Sequence, residues 1–135
     1  MDESNKVNRP AASKPSLLIY VVDDEPMVGD VVQAILKMGG YHSTCFQDPL
    51  QALQALKEAG LKPDLLLTDF QMPQMTGREL IQRCKEVQPG LKTILYSGNV
   101  QEETVSLYRI KPDRFLRKPF TPKTLIDLVN SVVAA

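Results

Sequence analysis

Short apolar runs, separated by segments with helical spacing, set the architecture of this chain. Leu17-Leu18-Ile19-Tyr20-Val21-Val22 predicts a first strand over 17–22, and Leu65-Leu66-Leu67-Thr68 lies in a third over 64–68. Continuous apolar runs of this length read as strands covered on both faces, the signature of a parallel sheet. A weakly patterned second strand is expected over 41–46, a fourth over 92–96 and a fifth over 113–117. Between them the period changes. Val28, Val31, Val32, Ile35 and Leu36 share one face of a helix over 26–38, which Gly39-Gly40 stops. Asp48-Pro49 caps and opens a second helix running to about Ala59, with Leu50, Leu53 and Leu56 inward. Thr76-x-x-Glu79 is a capping box for a third helix over 77–88, with Leu80, Ile81, Cys84 and Val87 as its apolar face. A short fourth helix is expected over 101–109, closed by Pro112. Thr121-Pro122 opens a fifth over 122–134, with Leu125, Ile126, Leu128, Val129, Val132 and Val133 inward. Strand and helix alternating five times predict an α/β domain, helices covering both faces of a parallel sheet with right-handed crossovers.

That architecture gives the polar residues at the strand ends a common destination. Parallel sheets bind ligands beyond the carboxyl ends of their strands. Asp23 and Asp24 end the first strand, Asp69 the third, and Lys118 follows the fifth. Three carboxylates and an ammonium should therefore converge on one rim. Crowded carboxylates repel, and a hard divalent cation with oxygen ligands, such as Mg²⁺, is the most economical reason to gather them.

Composition narrows the picture without redirecting it. The 135 residues are 43% apolar and 24% charged, with a formal net charge of zero. That length fits one domain, and the charge balance argues against direct nucleic-acid binding, which needs a basic excess. Cys45 and Cys84 are too few for a disulfide framework and read as reduced core thiols of a cytoplasmic protein. The longest apolar run is strand length, far short of a membrane span. Residues 1–16 are polar, hold Pro10 and Pro15 and lack an apolar stretch, so they read as a flexible leader, not a signal peptide, ahead of a domain over 17–135.

Four motifs in order now carry a resemblance. They are Val21-Val22-Asp23-Asp24-Glu25-Pro26, then Leu67-Thr68-Asp69-Phe70-Gln71-Met72-Pro73-Gln74-Met75-Thr76-Gly77, then Leu95-Tyr96-Ser97-Gly98, then Phe115-Leu116-Arg117-Lys118-Pro119-Phe120. Each sits at a strand end, and the pattern of strands and helices around them extends over 17–134. The chain resembles the receiver domain of two-component response regulators. The resemblance implies a flavodoxin-like (βα)5 three-layer sandwich, its five parallel strands in the order 2-1-3-4-5, for which a member of this family is a standard example.

The resemblance also implies roles. Asp69 is the phosphoacceptor, taking a phosphoryl group from a sensor histidine kinase or a histidine phosphotransfer protein. Asp24 ligates Mg²⁺ directly, Asp23 through water, and Asp69 and the Gln71 carbonyl complete the protein ligands. Ser97 is the switch hydroxyl and Lys118 the cation that pairs first with Asp69, then with the phosphoryl group; the Lys118–Pro119 bond is usually cis. Phe115 is the aromatic switch residue. Output would pass through the face formed by the fourth predicted helix, the fifth strand and the fifth helix, to a partner or an attached domain. The resemblance also allows a phosphorylation-dependent homodimer. One departure is the run Arg109-Ile110-Lys111-Pro112-Asp113, which replaces the small-residue turn common before the fifth strand. A stand-alone receiver and one excised from a larger regulator both fit. A different class, a haloacid-dehalogenase-like phosphohydrolase, would also use a strand-end Asp with Mg²⁺. It needs a second Asp two residues after the nucleophile, where this chain has Gln71.

Overall fold

Every predicted strand forms, and the predicted helices among the described residues form with it. The computed structural model describes residues 17–60, 62–98 and 111–134. In chain order it contains β1 (Leu18–Val22), α1 (Pro26–Met38), β2 (His42–Phe46), α2 (Pro49–Glu58), β3 (Leu65–Asp69), α3 (Gly77–Val87), β4 (Lys92–Ser97), β5 (Arg114–Arg117) and α4 (Pro122–Ala134). The helix expected over 101–109 and the leader 1–16 lie outside the described residues.

The strands pair in parallel in the order β2-β1-β3-β4-β5, the flavodoxin-like order. β3 is central and wholly buried, as its unbroken apolar run requires. Alternate residues point to opposite faces of the sheet. One set, including Ile19, Val21, Leu65, Leu67, Ile94, Tyr96 and Leu116, packs with α1 and α4. The other, including Tyr20, Val22, Leu66 and Leu95, packs with α2 and α3 and with Met72 and Met75. These are the two cores of a three-layer sandwich.

The helix starts follow the local chemistry. The Asp48 carboxylate accepts from the Leu50 N–H at 2.9 Å. The capping box forms in both directions, Thr76 Oγ1 accepting from Glu79 N–H at 3.2 Å and Glu79 Oε1 from Thr76 N–H at 3.4 Å. Thr121 Oγ1 accepts from Thr124 N–H at 3.1 Å.

Three expected core residues are instead exposed. Val31 is 58% exposed, because the buried stripe of α1 runs through Gly29, Val32, Ile35 and Leu36. Leu50 lies off the α2 stripe, which takes Pro49, Ala52, Leu53 and Leu56 at the i, i+3, i+4, i+7 spacing. Val87 is the last residue of α3, one step beyond the buried stripe of Leu80, Ile81 and Cys84, and is also exposed. Cys84 is buried and Cys45 half-buried, both as free thiols. Burial pushes the Cys84 thiol up to about 12. No helix among the described residues is long and apolar enough to cross a membrane.

Candidate phosphoacceptor and metal site

The carboxyl ends of β1, β3 and β4, with the turn after β5, enclose a polar cavity of about 280 Å³. Its walls are Asp24, Glu25, Asp69, Gln71, Ser97, Gly98 and Lys118. Asp69 is the last residue of β3, so the central strand delivers its carboxylate to the middle of the rim. Lys118 Nζ lies 3.0 Å from Asp69 Oδ1, and the Phe70 N–H donates to the same oxygen at 3.0 Å. The Lys118–Pro119 bond is cis, and the Lys118 N–H donates to the Ser97 carbonyl at 2.8 Å. Ser97 itself is buried at the end of β4.

Burial pushes the Asp69 carboxyl above its ordinary value, and the nearby Asp23 charge adds to this. The Lys118 ammonium and the Phe70 amide oppose the rise without cancelling it. A carboxylate held this way is costly to keep ionised and gains from any added cation.

Asp23 follows β1 and is completely buried. Its Oδ1 accepts from Glu25 N–H at 2.9 Å and its Oδ2 from the Tyr96 hydroxyl at 2.6 Å. Asp24, next in sequence, is half-buried and faces the cavity. One oxygen from each of Asp23, Asp24 and Asp69 can be chosen so that all three lie within 4.8 Å of one another. This is a cluster of hard oxygen donors, the chemistry that suits Mg²⁺ or Ca²⁺ and not a soft metal.

The loop after Asp69 approaches the strand end very closely. The Gly77 N–H donates to the Phe70 carbonyl at 2.7 Å. A Cβ at position 77 would stand 2.2 Å from the Asp69 carbonyl oxygen and 2.6 Å from Leu95 Cδ1. Glycine is needed here for space, a role in backbone geometry and not in chemistry.

The structure thus brings Asp23, Asp24, Asp69, Gln71, Ser97 and Lys118 to one rim. Phe115 is elsewhere: it is half-buried on β5, on the α2/α3 side of the sheet, paired in register with Leu95. Ser97, two residues beyond Leu95, shares that face. Sequence reading passed over Tyr96, although a buried phenol must find a partner for its hydroxyl; that requirement is the signal that marks it. Burial pushes the Tyr96 phenol far up, so it serves as a neutral donor to Asp23.

With this geometry in view, the comparisons agree on one class. Residues 19–130 match the response regulator receiver domain family, and the chain belongs to it. Its role is therefore phosphoryl-acceptor signalling in a two-component phosphorelay. It is 26% identical over 117 residues to the response regulator SaeR of Staphylococcus epidermidis, covering 86% of this chain and 50% of SaeR. It is 30% identical over 118 residues to the DNA-binding transcriptional regulator NtrC of Escherichia coli, covering 87% of this chain and 25% of NtrC. The chain spans half or less of the length of these relatives. Among solved structures, a CheY-like response regulator receiver domain protein from Methanospirillum hungatei aligns with a TM-score of 0.76 at 26% identity, covering 85% of this chain and 91% of that one. The dehalogenase-like alternative is not favoured by these relationships.

Proposed function

We propose that Asp69 is the phosphoacceptor of this receiver, and that residues 17–135 form the unit that acts. The observation that supports this most is the pairing of the Asp69 carboxylate with Lys118 at 3.0 Å beside two further carboxylates. The donor is a phosphohistidine, on a sensor histidine kinase or a phosphotransfer protein. An Asp69 oxygen attacks phosphorus in line as the P–N bond breaks, and the imidazole nitrogen keeps the electron pair. Oδ1 is already engaged by Lys118 and Phe70 N–H, which supports Oδ2 as the attacking atom. Lys118 then holds a phosphoryl oxygen, and the Ser97 hydroxyl donates to another.

Asp24, Asp69 and the Gln71 carbonyl are the residues that would hold Mg²⁺, with Asp23 acting through water. Asp24, Asp69 and Gln71 line the cavity while Asp23 lies beneath it, its oxygens already accepting hydrogen bonds. When bound, the ion supplies neutralisation of the transferring group's charge. Phosphorylation biases the domain by drawing Ser97 toward the phosphoryl group, and Phe115, on the same face of the sheet, takes the space released. The face around β5 and α4 then changes for a partner, an attached domain or a second copy. The free thiols and the absence of a membrane-crossing helix among the described residues fit a cytoplasmic setting.

Reductive trapping tests the assignment. Protein incubated with acetyl phosphate and Mg²⁺, then treated with borohydride, should yield homoserine in the peptide carrying Asp69. Homoserine at another aspartate would move the acceptor. Continuous release of inorganic phosphate from many phosphomonoesters would return the dehalogenase-like reading.

A further inference from the structure

Around Tyr96 this face of the sheet is largely aliphatic. Ile94, Leu67 and Leu116 pack there with Val129 and Leu125 of α4. An aliphatic residue at 96 would fill the same space but would leave the buried Asp23 Oδ2 without the donor that Tyr96 supplies. Tyr96 instead carries a hydroxyl into a fully buried position, and a buried hydroxyl without a partner is strongly unfavourable. It is satisfied by one group, Asp23 Oδ2, at 2.6 Å.

The ring is held as firmly as the hydroxyl. Its edge meets Phe120 with centroids 5.8 Å apart and planes at 73°. Its face lies 5.1 Å from Lys118 Nζ, the ammonium that pairs with Asp69. Its backbone carbonyl accepts from the Phe70 N–H at 3.0 Å, and Tyr96 is the register partner of Asp69. One side chain therefore meets the two groups of opposite charge that flank Asp69, its hydroxyl on the carboxylate and its π-face toward the ammonium. Donation from a phenol enriches its ring, which favours the cation on its face.

We propose that Tyr96 is a positioning residue that fixes the Asp23 carboxylate for cation binding and steadies Lys118 from beneath. This deepens the metal reading given above and rests on it. With Oδ1 held by Glu25 N–H and Oδ2 by Tyr96, the carboxylate cannot rotate freely, and a cation or its water meets lone pairs already aimed. Outer donors of this kind commonly set metal affinity by about tenfold or more.

Tyr96→Phe removes the hydroxyl and keeps the ring, so it tests the bond and not the packing. Mg²⁺ is titrated by calorimetry into wild type, Tyr96→Phe, Asp23→Ala and the double variant. Urea unfolding of the same four proteins without metal gives a second cycle. We expect Tyr96→Phe to weaken Mg²⁺ binding about tenfold, and to change it little once Asp23 is alanine. Wild-type affinity in Tyr96→Phe, or an equal loss in the Asp23→Ala background, would overturn the proposal. If wild type itself fails to bind Mg²⁺ at millimolar concentration, the metal reading falls. The metal-free cycle then tests the bond by itself: coupling between Tyr96 and Asp23 shows that the hydroxyl holds the carboxylate without a role for a cation, and additive losses reject that as well.

Discussion

The two ends of the sheet treat their carboxylates in opposite ways. At the amino ends of the strands, Asp64 Oδ2 accepts from the Leu18 N–H at 2.9 Å and stitches β3 to β1. Asp113 Oδ2 accepts from Thr93 N–H at 2.7 Å and from Thr93 Oγ1 and Lys85 Nζ, each at 3.1 Å. Burial alone would raise the Asp113 carboxyl, but Lys85 and Thr93 outweigh it and hold it below its ordinary value. At the carboxyl ends, Asp23, Asp24 and Asp69 crowd within 4.8 Å with a lysine against one of them, and Asp69 is pushed up. A structural carboxylate is surrounded by donors and contributes stability. The carboxylates at the functional rim are left short of positive charge, and that shortage is what a cation and a phosphoryl-bearing partner can answer.

The contrast can be broken at several strengths. Asp24→Ala should have the largest consequence at the working rim. It removes the proposed ligand that faces the cavity, so Mg²⁺ affinity should fall by at least about tenfold and acetyl phosphate labelling should fall with it. A calorimetric titration indistinguishable from wild type would remove Asp24 from the site.

Gly77→Ala attacks the same rim through its backbone. The added methyl would stand 2.2 Å from the Asp69 carbonyl oxygen, and the strand end or the loop must shift. The cost should be about 3 kcal/mol in urea unfolding, with labelling also reduced because Asp69 moves. An alanine variant with native stability would show that the loop gives way easily.

Asp113→Ala perturbs the opposite rim. It leaves the Thr93 N–H without its acceptor and should cost about 2 kcal/mol, while labelling of the site stays at the wild-type level. The pH dependence follows the sign of the shift. A carboxyl whose folded value is depressed contributes stability above its unfolded value, and that contribution is lost as pH falls through the folded one. Wild type should therefore lose stability between about pH 4 and the lower folded value of Asp113, and Asp113→Ala should lose less there. Equal acid slopes in the two proteins would contradict the assignment. The smallest effect is expected at Val31→Ser, within about 0.5 kcal/mol of wild type, because the side chain is 58% exposed and not part of the core.

The rim was legible in the sequence because it depends on where strands end, and strand ends follow from unbroken apolar runs and capping residues. Asp23, Asp24, Asp69 and Lys118 each directly follow or close such a run, so the topology carried them to one place. Side-chain facing within helices was read less well. Val31 and Leu50 are apolar and near the right phase, but one residue of helix turns a side chain by 100°, and the sheet covers only a narrow stripe. Tyr96 was harder still. Its role depends on a hydrogen bond to a residue 73 positions away, and no periodicity within β4 distinguishes a phenol serving Asp23 from an aromatic filling space. Gly77 was legible as a backbone residue, whereas the reason for it, the approach of a carbonyl across the loop, needed coordinates.

The central claim is that position on the sheet, and not carboxylate chemistry alone, makes Asp69 the acceptor. The most direct measurement is intact mass after incubation with acetyl phosphate and Mg²⁺, run side by side on wild type, Asp69→Asn and Asp113→Asn. We predict a single phosphoryl adduct on wild type and on Asp113→Asn, and none on Asp69→Asn. An adduct that persists in Asp69→Asn, or one that disappears in Asp113→Asn while that protein remains folded, would contradict the account.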